Sequence, residues 1–252
     1  MGFELEIPEN PQRIISLVPS QTELLFDLGM EDRMVGITKF CVHPRDKVKN
    51  YTKIGGTKKF HLDTIAELKP DLIIGNKEEN YEEGINALME DYPVWMSDIY
   101  TLEDALDMMR AVGEITDTSG KANKIVKEIR TAFDSLPTSL RPKQALYLIW
   151  NAPYMVAGTD TFINEMLKYA GMENVITDSR YPELSAERIH HLNPEVILLS
   201  SEPYPFKDKH VEEFSALCPD AEVKIVDGEM FSWYGSRLKL AVGYFQQLAC
   251  LG

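Results

Sequence analysis

One aromatic segment near the end of the chain, Asp227 to Arg237, contains the residues best suited to holding a small molecule. It follows an apolar strand pattern and precedes a helical one, so we expect it at the carboxyl end of a sheet, where α/β proteins bind ligands. Because loops are usually polar, its large side chains need either a core or a ligand to cover them. We expect Trp233 or Tyr234 to contact the ligand, and Arg237 to offer a charge to an anionic or carboxamide-bearing one.

Three other segments carry aromatic residues and proline at comparable strand ends, namely Trp150 to Tyr154, Asp178 to Glu183 and Ser200 to Phe206. A site bordered by Trp, Tyr, Phe and Pro favours a large, flat, partly apolar ligand over a sugar or a free ion. The alternative is that Phe231 and Trp233 simply fill the core.

The motifs of common enzyme classes are missing from the sequence. The turn after the first strand, Val18 to Glu23, has no glycine, so a pyrophosphate could not approach the backbone closely. Gly55 to Lys59 has the composition of a phosphate-binding loop but lacks the spacing of a P-loop, and we interpret it as a plain turn. Cys41 and His43 form only a weak metal-ligand pair. We therefore predict a protein that is not an enzyme and has no metal or cofactor of its own.

Charge and composition limit the partners. The formal net charge of −14 argues against nucleic acid or an anionic membrane as the main partner, since both require clustered Lys and Arg. The three cysteines lie far apart, so neither a zinc cage nor a disulfide framework is indicated. No apolar run approaches the roughly 20 residues of a membrane span.

The N-terminus has neither the basic nor the apolar part of a signal peptide. Two localisations follow. If a leader has been removed from this sequence, we expect a periplasmic or membrane-anchored extracytoplasmic protein, and otherwise a cytoplasmic one.

Two internal repeats indicate a duplicated frame. Leu62 to Ile74 reads as an amphipathic helix, a Pro-acid turn and an apolar strand, and Ala186 to Leu199 repeats that order. Thr22 to Asp32 likewise matches Asn164 to Asn174. Two similar units in one chain predict two similar lobes with a ligand cleft between them.

Short apolar runs alternate with helical patterns in both halves, which predicts an α/β fold with mainly parallel sheets. Ser20 and Glu23 read as a capping box that starts the first helix. One long helical pattern, Asp117 to Leu136, has an apolar stripe and ends at Pro137. We predict an N-terminal lobe at 1–114, a connecting helix at 115–138 and a C-terminal lobe at 139–252.

Two motifs, Arg13 to Leu24 and Leu68 to Ile74, together with the long central helix, resemble a known family. They are similar to the helical-backbone metal-chelate receptors, the substrate-binding proteins of ABC importers for vitamin B12, haem and siderophores. The resemblance covers about residues 10–250 and is greatest to the cobalamin-binding branch. It implies two α/β lobes joined by one rigid helix, with the chelate between them.

The resemblance also implies the ligand contacts. The tryptophans expected in the loops of the first lobe are missing, and Lys58 and Asn76 stand near those places. The resemblance implies that the ligand is cobalamin-like or another metal chelate. Because those tryptophans are missing, an iron chelate and a modified corrinoid are both left open. Arg237 is included because of its charge and its place at the end of the aromatic segment. The predicted ligand contacts are then Phe40, Lys58, Asn76, Tyr154, Tyr181, Met230, Phe231, Trp233, Tyr234 and Arg237.

In this family an acidic side chain on each lobe meets arginines of the membrane permease. By position Glu82 matches the first, and Asp208 the second, with Glu202 and Glu212 as rivals. We expect a monomer that delivers its chelate to an ABC importer. The alternative is a cytoplasmic protein or enzyme that handles a corrinoid or tetrapyrrole on the same two-lobed frame.

Overall fold

The computed structural model describes residues 6–137 and 141–250 and divides them into two compact units. The N-terminal unit contains the described residues up to Ile99, then Glu103–Arg130 and the short segment Tyr234–Arg237. The C-terminal unit contains Tyr100–Leu102, Thr131–Trp233 and the described residues from Leu238 onward. Within the described residues, no helix has the length and apolar character needed to cross a membrane.

The N-terminal unit is built on a parallel sheet of five strands, in the order β3-β2-β1-β6-β7, with a small antiparallel hairpin, β4-β5, beside it. Every residue of β6 is buried, as expected for an apolar strand covered on both faces. The strands are β1 (Ile14–Ser16), β2 (Met34–Ile37), β3 (Thr52–Lys53), β4 (Gly55–Gly56), β5 (Lys59–Phe60), β6 (Leu72–Asn76) and β7 (Val94–Ser97). The helices are α1 (Pro19–Leu28), α2 (Leu62–Leu68), α3 (Glu82–Met89) and α4 (Leu102–Ile115), and a 3-10 turn covers Val48–Asn50. Helix α5 (Ser119–Asp134) belongs to this unit as far as Arg130, and its last residues belong to the C-terminal unit.

The C-terminal unit has a six-stranded sheet in the order β11-β9-β8-β12-β13, with β10 also paired to β8. Its centre is parallel, while β9 pairs antiparallel with both β8 and β11. The strands are β8 (Lys143–Trp150), β9 (Tyr154–Val156), β10 (Met172–Asn174), β11 (Glu183–Leu184), β12 (Val196–Ser200) and β13 (Glu222–Val226). The helices are α6 (Phe162–Tyr169), α7 (Ala186–Leu192), α8 (Asp208–Leu217), α9 (Glu229–Ser232) and α10 (Leu238–Cys250).

The predicted α/β fold with parallel sheets is confirmed, and so is the repeat of helix, turn and strand. Helices α2 and α7 both end at a residue in the left-handed conformation, Lys69 with φ 47° and Asn193 with φ 43°. The strand that follows each helix, β6 or β12, then pairs with the first strand of its own unit. The same local pattern therefore produces the same local structure twice.

The predicted capping box at the start of α1 is wrong. The N-cap residue is Val18, which makes no side-chain cap, and Pro19 occupies the first helical turn. Proline suits that position because its missing N–H would have had no partner there and its φ is already helical. Ser20 and Glu23 consequently lie inside the helix, where Glu23 is available for a different interaction.

The predicted central helix is present as α5, with bounds Ser119–Asp134 instead of Asp117 to Leu136. Its predicted apolar stripe is buried at Ala122, Ile125, Val126, Ile129 and Phe133. The 16 residues of α5 give a length of about 24 Å. The division into lobes at 1–114 and 139–252 stays a proposal.

Candidate ligand-binding site

Five predicted site residues lie in the N-terminal unit, namely Phe40, Lys58, Asn76, Tyr234 and Arg237. The other five lie in the C-terminal unit, namely Tyr154, Tyr181, Met230, Phe231 and Trp233. The aromatic segment after β13 therefore contributes side chains to both units, because its residues from Tyr234 to Arg237 pack with the N-terminal unit.

In the C-terminal unit, the aromatic segment begins with the short helix α9 and not with an open loop. Met230 and Phe231 are buried in it. The Phe231 ring lies 5.1 Å from that of Tyr147 and 5.0 Å from that of Phe245, centroid to centroid. These contacts place Phe231 within the hydrophobic core beneath the carboxyl ends of the strands.

Trp233 is fixed by a buried carboxylate. Its Nε1–H donates to Glu202 Oε1 at 2.8 Å, and the Ser232 hydroxyl donates to the same oxygen at 3.0 Å. Only 6% of Trp233 is exposed. Burial is the main cause that raises the pKa of Glu202, and the charges of Glu229 and Asp227 add to it, while the two hydrogen bonds oppose it.

Gly228 lets the loops after β12 and β13 approach closely. Its N–H donates to Ser201 Oγ at 3.0 Å. A Cβ atom at this position would lie 2.4 Å from Ser200 Oγ and 2.7 Å from Glu202 Cγ, so a larger residue would push the loops apart. Position 228 therefore requires glycine, because a larger residue would disturb the contact between Glu202 and Trp233.

In the N-terminal unit, Arg237 forms a two-point ion pair with Glu23 of α1. Its Nε–H donates to Oε2 at 2.8 Å and an Nη2–H donates to Oε1 at 2.6 Å. The side chains are 9% and 17% exposed, respectively. The guanidinium charge is therefore compensated within the protein, whereas the sequence alone suggested that it faces the ligand.

The same short segment is anchored at Tyr234 and Gly235. The Tyr234 hydroxyl donates to Glu79 Oε1 at 2.7 Å. Burial, followed by the charge of Glu79, raises the pKa of Tyr234 well above its usual value. A Cβ on Gly235 would lie 2.3 Å from the Ser20 carbonyl oxygen, so only glycine fits against the start of α1.

Asn76, at the end of β6, shapes the loop that follows it. Its Oδ1 accepts hydrogen bonds from the backbone N–H groups of Glu78 at 2.8 Å and Glu79 at 3.2 Å. Its amide donates to Ser97 Oγ at 3.1 Å, and Gln21 donates to that hydroxyl at 2.7 Å. With 1% exposure, Asn76 supports the site from beneath.

Phe40 and Lys58 are the exposed members of the predicted set in the N-terminal unit. Phe40 is 52% exposed. A Cβ on Gly56 would come within 3.2 Å of its ring, so the aromatic edge rests on the hairpin β4-β5. Lys39 Nζ lies 5.0 Å from the centroid of the same ring. Lys58 Nζ donates to the carbonyl oxygen of Glu78, which links the hairpin to the loop after β6.

The two predicted tyrosines of the C-terminal unit have different surroundings. Tyr154 donates from its hydroxyl to Glu213 Oε1 at 2.5 Å, and this hydrogen bond is the main cause that raises its pKa to about 12. The half-buried Tyr181 ring lies 5.6 Å from the guanidinium carbon of Arg180. Tyr154 is thus anchored to α8, and Tyr181 lies beside a cation.

Glu82 and Asp208, the predicted docking acids, occupy equivalent places. Each is exposed and is the first residue of its helix, α3 or α8. Helix α3 connects β6 to β7, and α8 connects β12 to β13. Of the two rivals, Glu212 is exposed on α8, whereas Glu202 is largely buried and bonded to Trp233.

Within the described residues, no group of three or more His, Cys, Asp or Glu side chains could hold a metal ion. The Cys41 thiol is buried, with Sγ 3.1 Å from Thr22 Oγ1 and 3.2 Å from Thr38 Oγ1. Burial raises its pKa. Cys41 therefore behaves as a core thiol.

The model of one protein family, described as periplasmic binding protein, matches residues 14–216. This chain belongs to that family. The match includes the first strand of the N-terminal sheet and most of the C-terminal unit, up to helix α8.

Relatives with similar sequences include an uncharacterized ABC transporter substrate-binding lipoprotein, YvrC, of Bacillus subtilis. It is 26% identical over 208 residues, which are 77% of this chain and 65% of that protein, slightly less than two thirds of its length. The vitamin B12-binding protein of Vibrio parahaemolyticus is 26% identical over 203 residues, covering 76% of this chain and 72% of that protein.

Solved structures share the fold. The periplasmic haem-binding protein RhuT from Roseiflexus has a TM-score of 0.81 at 22% identity, over 94% of this chain and 99% of that one. The periplasmic vitamin B12 binding protein BtuF of Vibrio cholerae has a TM-score of 0.79 at 20% identity, over 97% of this chain and 98% of that one.

Proposed function

We propose that this protein binds a metal chelate, cobalamin-like or haem-like, outside the cytoplasm and delivers it to the membrane permease of an ABC importer. The observation that carries the proposal is the family match over residues 14–216, which spans parts of both units. The named relatives are a substrate-binding lipoprotein of an ABC transporter and a vitamin B12-binding protein. Both names describe binding proteins.

Several of the side chains proposed to contact the chelate follow parallel strands, and the carboxyl ends of such strands are the usual place for ligands in α/β sheets. In the N-terminal unit Phe40 and Lys58 are exposed near the ends of β2 and β6. In the C-terminal unit Trp233 and Tyr181 follow the strands of the second sheet. Aromatic side chains of this kind suit the flat, largely apolar surface of a corrin or porphyrin.

The docking part of the proposal concerns Glu82 and Asp208. Both are exposed acids on the first turn of equivalent helices. We propose that they pair with arginines of the permease, since carboxylates and guanidinium groups form two-point, charge-assisted hydrogen bonds. In this proposal neither acid takes part in binding the chelate.

A chelate-binding test decides the proposal. The purified protein is titrated with cyanocobalamin, with haemin and with a ferric hydroxamate siderophore, and visible absorbance and melting temperature are followed. A chelate present at 100 times its dissociation constant should add about 2.7 kcal/mol to the free energy of unfolding. If none of the three changes the spectrum or the melting temperature, the proposal is refuted. Fractionation of the native cells then tests the extracytoplasmic location.

A further inference from the structure

The segment from Lys39 to His61 has a charge opposite to that of the whole chain. It contains seven Lys or Arg residues and a single acid, Asp46, so it carries six formal positive charges while the chain as a whole carries −14. Like-charged side chains in one short segment repel each other unless something compensates them. Besides counterions from the solvent, a compensating group can come from elsewhere in the protein or from a ligand.

The described residues compensate little of this charge. Of the seven cations, Lys47 alone forms an ion pair there, with Glu31 at 2.6 Å. Lys53 and Lys58 donate to backbone carbonyl oxygens of Val48 and Glu78. Lys39 stands over an aromatic ring and not beside a carboxylate.

Three of these residues form a defined surface, which we call the basic lip: Lys39, Phe40 and Lys58. The backbone N–H of Lys39 donates to Gly55 O at 2.8 Å, which ties the chain after β2 to the hairpin β4-β5. The close approach of Gly56 to the Phe40 ring holds that ring against the hairpin. The lip is therefore positioned by backbone contacts and does not depend on flexible side chains alone.

The lip lies at the carboxyl edge of the N-terminal sheet. Strands β2 and β6 run parallel to β1, and they end at Ile37 and Asn76. Lys39 follows the first of these ends, and Lys58 reaches the loop after the second. Asn80 Nδ2 also donates to Thr57 O at 3.1 Å, which fixes the hairpin beside that loop.

Two acids of the N-terminal unit, Glu79 in the loop after β6 and Glu23 on α1, are engaged with other residues. Glu79 accepts from Tyr234, and Glu23 accepts from Arg237. The edge therefore presents the exposed Phe40 ring with the Lys39 ammonium group beside it, and the exposed Lys58 on the hairpin against which that ring rests. This combination matches a ligand with a flat apolar part that bears anionic oxygens.

We propose that the chelate bound by this protein is anionic, and that Lys39 and Lys58 bind its carboxylate or phosphate groups beside the Phe40 ring. This inference rests on the proposed function and names the class of its ligand. It favours chelates with a net negative charge over those with no net charge, such as cyanocobalamin.

Matched pairs of probes test the inference. Ferric protoporphyrin IX carries two carboxylates and its dimethyl ester carries none, and cyanocobalamin is compared in the same way with its monocarboxylate derivative. We expect each anionic member to bind about tenfold more tightly than its uncharged partner, because a hydrogen bond to a charged group is stronger than one to a neutral group. The advantage should shrink as the salt concentration rises.

The double variant Lys39→Glu with Lys58→Glu should abolish the preference for the anionic probe, because it weakens binding of that probe more than binding of its partner without the carboxylate. The matched control is Lys124→Glu with Lys127→Glu, which changes the net charge equally at exposed positions on α5. The inference is overturned if both members of each pair bind with equal affinity, or if both double variants lose affinity equally. Either result leaves the proposed function, chelate binding, intact. If no chelate binds at all, the proposed function fails, and the inference fails with it.

Discussion

At the scale of single residues, the buried Glu202 carboxylate is the most informative group. It accepts hydrogen bonds from Trp233 and Ser232 and lies near the acids Asp227 and Glu229. The sequence suggested Glu202 as a rival docking acid. Its carboxylate is instead largely buried and holds the Trp233 side chain by a hydrogen bond. Its raised pKa gives a test that depends on pH.

We expect Glu202→Gln to stabilise the protein relative to wild type at pH 7.5 and to lose that advantage near pH 4.5. A carboxyl whose folded pKa exceeds its unfolded value destabilises the fold above that folded pKa, and the penalty disappears as the pH falls toward the unfolded value. Glutamine keeps an oxygen that can accept from Trp233. Urea unfolding at both pH values, with the exposed Glu212→Gln as control, measures the difference. A difference that does not change with pH would contradict the assignment.

Trp233 offers a second test at this scale. If it contacts the chelate, Trp233→Ala should weaken binding by roughly 1–3 kcal/mol. Because the side chain is buried, the same change also lowers the free energy of unfolding. Titration calorimetry and urea unfolding of one sample separate the two effects. Unchanged affinity with lowered stability would show that Trp233 belongs to the core alone.

At the scale of elements, the segment Tyr234–Arg237 is attached to helix α1 and to the loop after β6. Arg237 reaches a residue 214 positions earlier in the chain, and Tyr234 reaches one 155 positions earlier. These contacts make the start of α1 and the end of the aromatic segment one structural feature of the N-terminal unit. Removing one partner would break a hydrogen-bonded contact between segments that are far apart in the chain.

We expect Glu23→Ala to lower the free energy of unfolding by about 3 kcal/mol, because it removes the carboxylate that forms a two-point ion pair with the mostly buried Arg237 guanidinium. Glu31→Ala is the control, since it removes an exposed ion pair with Lys47 and should cost less than about 1 kcal/mol. Chemical denaturation of both variants gives the comparison. Equal losses in the two variants would show that burial adds nothing to the Glu23–Arg237 pair.

The equivalent helices α3 and α8 provide the test of docking. Glu82→Arg and Asp208→Arg should leave chelate affinity unchanged and reduce uptake through the cognate permease, because each places a cation where an arginine is expected to bind. Glu83→Arg and Ser215→Arg, at exposed positions on the same two helices, are the controls. Uptake and titration are measured for all four variants. Docking through these acids is refuted if the controls impair uptake as strongly.

At the scale of the whole molecule, the predictable part of the fold is the part encoded locally. The helix, turn and strand of each repeat depend on apolar spacing and on a left-handed residue at the helix end, and both can be seen in a short window of sequence. The capping box failed for a related reason. Ser20 and Glu23 have the right types and spacing, but Pro19 just before them starts the helix earlier.

Local patterns in the chain are enough to predict the duplicated α/β frame and the aromatic segment, and the family resemblance adds Phe40, Lys58, Glu82 and Asp208. Which charges are already compensated becomes visible only in the folded chain. Arg237 is paired with Glu23, and Glu202 is held against Trp233, whereas Lys39 and Lys58 have no carboxylate partner among the described residues. The physical reason is that periodicity is a property of neighbours in the chain, while an ion pair depends on where distant segments meet in space.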